Sequence, residues 1–303
     1  MDQKGMETIT GKTAIYPGCS LEGTAAGFEI SLRKALGALD ITLPHLRDWN
    51  CCGATSAHAL DHRLYLALCL RNLALAEDQG FSEILAPCAA CYHRLASAGF
   101  EFGKDNELLE RLNVETGLEY GGSVTVRNIL DYLANVVGTG RIAQAVKTDG
   151  RVSVLSGLKV ACYYGCLNTR IPRMKGFDVM ENPTCMDRIV RTLGAEALDW
   201  SYKTDCCGAS LFISSESTAS RLVSKILKDA VARGADCIAV ACPMCHNNLD
   251  TIQNDIRRAY DIPRPMPVLF ITQLMGLSFG MTASELKLNH AFVPFTQAES
   301  MST

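Results

Sequence analysis

The sequence lacks any apolar run near the roughly 20 residues of a membrane-spanning helix. The longest candidate, Val268 to Met281, is shorter and is interrupted by Thr272, Gln273 and glycines. It also lacks blocks of like charge: its 303 residues carry a net charge of −3. That balance gives no electrostatic reason to expect nucleic acid or an anionic membrane as a partner. The stretch Met1 to Thr10 is polar and has no apolar core of a secretory signal. The expectation is a cytoplasmic protein without a transmembrane segment. Finally, there is no Cys-x2-Cys-x2-Cys-x3-Cys-Pro run. This excludes a ferredoxin-type electron wire of that pattern within the chain.

Cysteine is abundant, at 14 residues. Disulfides belong mainly to secreted proteins and small scaffolds, so metal binding is the preferred reading. Ten of the cysteines fall into two ordered sets, Cys19, Cys51, Cys52, Cys88 and Cys91, then Cys166, Cys206, Cys207, Cys242 and Cys245. Each set has a lone cysteine in a Tyr-x-Gly-Cys unit, then Cys-Cys-Gly, then Cys-x-x-Cys, at similar spacing. Such order and spacing twice over indicate a duplicated unit that builds two metal sites. The length suits two domains of about 150 residues, placed at 11–150 and 151–285, with a tail at 286–303.

Periodicity supports the repeat. Thr13 to Tyr16 and Val160 to Tyr164 read as strands leading to the lone cysteines, and Leu43 to Leu46 as a further strand. Leu60 to Gln79 reads as a helix with Leu60, Leu64 and Leu68 on one face and Gly80 as its stop. Glu216 to Arg233 reads as its counterpart, stopped by Gly234. Glu83 to Ala86 and Cys237 to Ala241 read as strands entering the Cys-x-x-Cys motifs, each of which opens a helix. Asn182-Pro183 is a helix-start signal. Val124 to Val137 is expected to close the first half as a helix, Gly138 to Gly157 to be a linker, and Val268 to Leu277 to close the second half. Alternating strands and helices predict an α/β fold of two pseudo-symmetric units, each a small sheet with flanking helices. The metal sites are expected at strand-to-helix junctions, where free N–H groups and a partial positive charge favour thiolates.

Five thiols per set exceed the four that a structural zinc or a cubane iron–sulfur cluster needs. The fifth is either idle or part of an unusual cluster with a bridging thiolate. Gly53 and Gly208 let backbone pass close to a bound group. Cys69 and Cys185 on apolar helical faces, and Cys162 and Cys237 in strands, read as core. His93 and His246, just after the Cys-x-x-Cys motifs, are candidate proton donors. Trp49 and Trp200 are expected to pack beside the sites.

These motifs resemble the CCG-domain proteins, most closely the B subunit of heterodisulfide reductase, over about residues 13 to 280. The resemblance implies that each five-cysteine set carries a noncubane [4Fe-4S] cluster, with the two facing each other across a cleft. It implies reduction of a small-molecule disulfide, or oxidation of thiols in reverse, between them. It also implies two partner subunits in one complex, the first a ferredoxin-like iron–sulfur protein and the second a flavoprotein. Arg47, Arg94, Arg127, Arg170 and Lys203 are candidates to meet an anionic substrate. Two alternatives stand: an electron-transfer or anchor subunit of a succinate or fumarate reductase-like complex, or structural zinc at one or both sets.

Overall fold

In a computed structural model, residues 11–54, 57–149, 152–170 and 176–297 are described. The first half opens with β1 (Thr13–Ile15), fully buried, followed by the short α1 (Gly18–Glu22) and α2 (Ala26–Gly37). Helix α2 buries Phe28, Leu32, Ala35 and Leu36, an apolar stripe at helical spacing. Helix α3 (His62–Asp78) starts where the Asp61 carboxylate accepts from the amides of Arg63 and Leu64. Strand β2 (Glu83–Ala86) runs into α4 (Ala89–Phe102), whose N-cap is Cys88. Helix α5 (Asn106–Thr116) is capped by Asp105 and closed by Gly117 at φ 66°. Then come β3 (Thr125–Asn128), a π-helical stretch (Tyr132–Gly138) and α6 (Thr139–Ala145).

A two-stranded hairpin, β4 (Thr148–Asp149) with β5 (Val152–Ser153), precedes the second half. There β6 (Lys159–Tyr163), α7 (Cys185–Thr192), β7 (Glu196–Ala197) and α8 (Glu216–Ala232) follow in order. Strand β8 (Cys237–Val240), α9 (Pro243–Thr251), β9 (Val268–Phe270) and α10 (Ile271–Ser278) complete the repeat.

The fold is α/β, with two parallel sheets flanked by helices. One sheet has the order β1-β2-β3 and the other β7-β6-β8-β9. Strands β6, β8 and β9 therefore repeat β1, β2 and β3. The short β7 has a vestige in the first half, an isolated parallel bridge between Ile15 and His45. Leu43 to Leu46 thus makes a single bridge and no strand. Pro44 offers no N–H there, and its carbonyl accepts from Ile15 at 2.7 Å.

Other local expectations need correction. Val124 to Val137 begins as the third strand of the first sheet, because Thr125–Asn128 pairs with Glu83–Ala86. The segment expected as a linker contains α6 and the hairpin. Helix α7 begins after Asn182-Pro183, and its first amides are satisfied by Asp178, whose Oδ2 accepts from Thr184 and Cys185. The expected stripe Leu60, Leu64, Leu68 is not the core face: Leu60 ends a separate turn (Ala57–Leu60) before α3 and is 83% exposed, and Leu64 is 49% exposed, while Tyr65, Leu66, Cys69, Leu70 and Leu73 are buried. Two apolar stripes coexist there, and the one buried against the neighbouring helix α4 wins.

The halves are joined reciprocally. Helix α10, which closes the second half, packs on α2, which opens the first. The π-helical stretch and α6, which close the first half, pack on α7 of the second. In the α2–α10 seam Phe28 stacks on Phe270 at 4.3 Å, and His246 stacks on Phe270 at 4.2 Å. Ser31 and Thr272 share a buried hydrogen bond at 2.6 Å. Residues 286–297 lie against this body, burying Leu286, Leu288, Val293 and Phe295, and the amides of Phe292 and Val293 donate to Asp250.

Candidate metal centres

The Cys-x-x-Cys motifs lie at strand-to-helix junctions, with Cys88 and Cys242 as N-caps of α4 and α9. The Cys-Cys-Gly motifs lie in loops. Equivalent tyrosines pin those loops: the Tyr16 hydroxyl donates to the Asn50 carbonyl at 2.7 Å, and that of Tyr163 to the Asp205 carbonyl at 2.6 Å. Each accepting residue directly precedes a Cys-Cys pair. Burial, first, and the neighbouring thiols raise both phenol pKa values, which keeps the hydroxyls protonated as donors. Trp49 and Trp200 pack against these tyrosines, with ring centroids at 5.5 and 6.2 Å. These tyrosines are assigned no role from the sequence, although their place in both Tyr-x-Gly-Cys units is the signal.

The Cys-Cys-Gly loops share further geometry. Gly53 and Gly208 have φ of 73° and 79°, and their amides lie 3.4 and 3.3 Å from the sulfurs of Cys51 and Cys206. Polar side chains hold the loops from neighbouring helices. Asn72 exchanges hydrogen bonds with the backbone of Asn50, and Asn248 donates to the Cys207 carbonyl at 2.7 Å.

The sulfurs meet in series. Cys51 contacts Cys52, and Cys52 lies 3.3 Å from Cys91, which contacts Cys88. Across the seam, Cys88 and Cys242 lie near enough for each thiol to shift the acidity of the other. Cys242 contacts Cys245, which lies 3.6 Å from Cys207. Cys166 pairs with Cys206 beside this strip, whereas Cys19 is exposed near Cys51. The two sets thus form one strip that crosses from one half to the other at the Cys-x-x-Cys motifs. Among the described residues, no three histidine, cysteine or acidic side chains close around a single point as one bound ion requires.

Thiol–thiol hydrogen bonds divide the acidities. Contacts with Cys51 and then Cys91 pull Cys52 down to about 4. The contact with Cys166 pulls Cys206 down to about 6. Cys88 is held well below the usual thiol range by Cys242 and Cys91. Their partners are pushed the other way: Cys51, Cys91, Cys166, Cys242 and Cys245 are all raised, so each set divides into thiolates, the ligating form, and thiols. By contrast, burial raises Cys69, Cys162, Cys185 and Cys237, which are fully buried core residues.

The surroundings fit a metal cluster held by sulfur. Gly18 (φ 62°) and Gly165 (φ 66°) stand where an added Cβ would lie 3.0 Å from the sulfurs of Cys91 and Cys245, respectively. Such a contact is tighter than nine in ten that real Cβ atoms make, so these glycines keep the cradle open. Around the second set the cradle is a cavity lined by Cys166, Cys206, Cys207, Cys242 and Cys245, with Ala89 supplied by the first half.

His93 is buried, its Nε2 3.2 Å from the Arg170 carbonyl, and burial pushes its pKa down to about 4. His246, stacked on Phe270, is also brought to about 4 by burial. Of the candidate cations, Arg127 is paired with Glu83 and Asp131, and Lys203 with Asp187. The Arg170 guanidinium donates to Thr204 at 3.2 Å. Arg47 uses its backbone to bond Gln79, and Arg94 lines a separate cavity. Asn128, fully buried, hydrogen-bonds Asn168, which donates to the Tyr164 carbonyl and so ties β3 to the loop bearing Cys166.

Fold and site together define a duplicated α/β protein whose two cysteine-rich loops converge. The chain belongs to the CCG family: its cysteine-rich domain matches residues 13–96 and again residues 160–250. The chain is 33% identical over 285 residues to the 8-methylmenaquinol:fumarate reductase membrane anchor subunit of Wolinella succinogenes, covering 94% of this chain and 98% of that protein. It is 32% identical over 281 residues to the B subunit of the ferredoxin/F(420)H(2)-dependent CoB-CoM heterodisulfide reductase of Methanosarcina acetivorans, covering 91% of each. An Archaeoglobus profundus protein, described as like the heterodisulfide reductase B subunit, is 27% identical over 278 residues, covering 89% of this chain and 91% of that protein. The fold matches the crystal structure of a hypothetical protein from Helicobacter pylori with a TM-score of 0.71 at 13% identity. The match covers 93% of this chain, which spans 52% of that one. Relatives are thus parts of complexes, and no helix among the described residues is long and apolar enough to cross a membrane.

Proposed function

We propose that this chain is the catalytic B subunit of a heterodisulfide reductase-like complex, working on a disulfide between its two cysteine sets. The observation that carries the reading is that Ala89, next to Cys88 of the first set, lines the cavity formed by the cysteines of the second set, which brings the two sets together across the seam. The two units, 11–150 and 151–285, would each contribute one set, with 286–303 as a tail. Cys19, Cys51, Cys52, Cys88 and Cys91 would hold one noncubane [4Fe-4S] cluster, and Cys166, Cys206, Cys207, Cys242 and Cys245 the other. When bound, the pair would supply two electrons in single steps, as splitting a disulfide requires. Tyr16 and Tyr163 fix the Cys-Cys loops, and Gly18 and Gly165 leave room for inorganic sulfur and iron. The electrons would come through a ferredoxin-like iron–sulfur protein and a flavoprotein of the same complex, since the chain has no ferredoxin-type motif.

The test is anaerobic co-purification followed by oxidation of reduced methyl viologen with the CoB–CoM heterodisulfide as acceptor. Iron and acid-labile sulfide should be present, and the dye should be oxidised only when the disulfide is added. Iron-loaded protein that leaves the dye reduced sinks the catalytic reading. The 33% identity to a fumarate reductase anchor along almost the whole chain favours a second reading, an electron-transfer subunit of a fumarate reductase-like complex. That reading expects a co-purifying flavoprotein and quinol oxidation by fumarate, with no disulfide turnover.

A pair of glycine variants tests the cradle. Gly80 has φ 80° and nothing within 4 Å of an added Cβ, so Gly80→Ala should cost only left-handed strain, roughly 1–2 kcal/mol, and keep its iron. Gly165→Ala carries similar strain and also drives a methyl group against Cys245, so its iron and sulfide content should fall. Equal iron in the two variants would show that the cradle does not matter.

A further inference from the structure

The loop that carries Cys166 is held by side chains of the first half. Asn128, the last residue of β3, caps the short helical turn Ile129–Asp131, where its Oδ1 accepts from the Leu130 amide at 2.7 Å. That fixes the orientation of its amide group and leaves Nδ2 to donate to Asn168 Oδ1. Asn168 in turn donates through its Nδ2 to the Tyr164 carbonyl at 2.8 Å, just ahead of Gly165 and Cys166. Both asparagines are buried, so breaking a link strands an unpaired polar group. A second tie runs in parallel: His93 Nε2 donates to the Arg170 carbonyl at 3.2 Å. Cys166 therefore stands between two anchors, both supplied by the other half.

The equivalent places at the first set hold side chains that cannot make the Asn128 tie. Asn128 is in register with Ala86 and Phe270 with Val240, and Ala86 and Val240 stand at the same place before the two Cys-x-x-Cys motifs. Phe270 is thus the counterpart of Asn128. Counted from the lone cysteines, Leu21 is the counterpart of Asn168 and Gly23 that of Arg170. Counted from Cys91 and Cys245, the exposed Asn247 is the counterpart of the buried His93. Phe270 stacks on Phe28, and Leu21 is buried in the apolar core. Neither side chain has a hydrogen-bonding atom. The lone cysteines differ accordingly, with Cys19 exposed and Cys166 only partly so.

We infer that Asn128 is a positioning residue of the second metal centre: acting through Asn168, it fixes the loop that carries Cys166, so the first half sets the geometry of a cluster held by the second. This rests on the iron–sulfur clusters proposed above and not on disulfide turnover. It is tested on the full-length protein, purified without oxygen, by electron paramagnetic resonance and by the rate at which a ferrous chelator removes iron. Asn128→Ser keeps a cap for the Leu130 amide but is too short to reach Asn168. Asn168→Leu cuts the same link and installs the residue type that Leu21 supplies at the equivalent place. In either variant about half of the iron, that of the second set, should leave about tenfold faster, the low end for losing an outer support of a metal site. The resonance signal that Cys207→Ala lacks should change shape, and no other. The double variant should match Asn168→Leu alone, because Asn128 acts only through Asn168. Circular dichroism checks that the variants fold, and Asn168→Leu decides the matter if Asn128→Ser does not. Native release and native signal in the folded variants, equal acceleration of all the iron, or a double variant worse than Asn168→Leu would each overturn the inference and leave the clusters standing. Native protein without iron would overturn both.

Discussion

A Cys207→Ala variant prepared without oxygen is expected to lose the iron of the second set, and with it at least about tenfold of any activity, since even outer supports of a metal site cost that much. Cys207 is buried, its sulfur lies 3.6 Å from Cys245, and its carbonyl is fixed by Asn248. It is therefore a fixed member of the sulfur strip and, on the proposed reading, a ligand of the second cluster. Cys52→Ala should do the same to the first set, because Cys52 lies between Cys51 and Cys91 in the strip. The control is Cys237→Ala, an equally buried thiol on β8 whose acidity is set by burial and Asp236 and not by any cysteine of the strip. It should keep its full complement of iron. Iron and acid-labile sulfide assays distinguish these outcomes without reference to turnover. Retention of both iron equivalents in Cys207→Ala would remove Cys207 from the ligand set.

The second large effect is on stability. Lys203 is buried, with its ammonium 2.7 Å from Asp187 Oδ1 and 3.2 Å from the Pro183 carbonyl. The other Asp187 oxygen accepts from Tyr164 at 2.5 Å, and the Lys203 carbonyl accepts from the amides of Tyr164 and Gly165. This polar knot sits under the loop that carries Cys166. Lys203→Met strands a buried carboxylate and is expected to cost about 3 kcal/mol, the lower end for breaking such a pair. The lower end applies because Arg191, 4.0 Å from Asp187 and largely exposed, offers partial compensation. Urea unfolding followed by circular dichroism measures the loss. The double variant Asp187→Leu/Lys203→Met should recover much of it, since replacing a buried pair entirely by apolar groups is often near neutral. A single variant as stable as the native protein would show that Arg191 or water carries the charge.

The sequence by itself determined the two ordered cysteine sets, the duplication and the α/β alternation. These reside in spacing along the chain and in local signals such as the Tyr-x-Gly-Cys units and the helix stops Gly80 and Gly234. Even the inert cysteines were legible, because a thiol on an apolar helical or strand face is core wherever that element packs. The tertiary structure alone decided which stripe around α3 faces inward, since Leu60, Leu64 and Leu68 look as apolar as the buried set and only packing against α4 distinguishes them. It alone decided that Tyr16 and Tyr163 hold the Cys-Cys loops and that His246 joins a ring stack with Phe270 and Phe28. It also decided that Cys88 lies near Cys242, a residue far from it in sequence. That meeting depends on each half's closing segment packing on the other half, and no local pattern encodes which surfaces of two folded units come together.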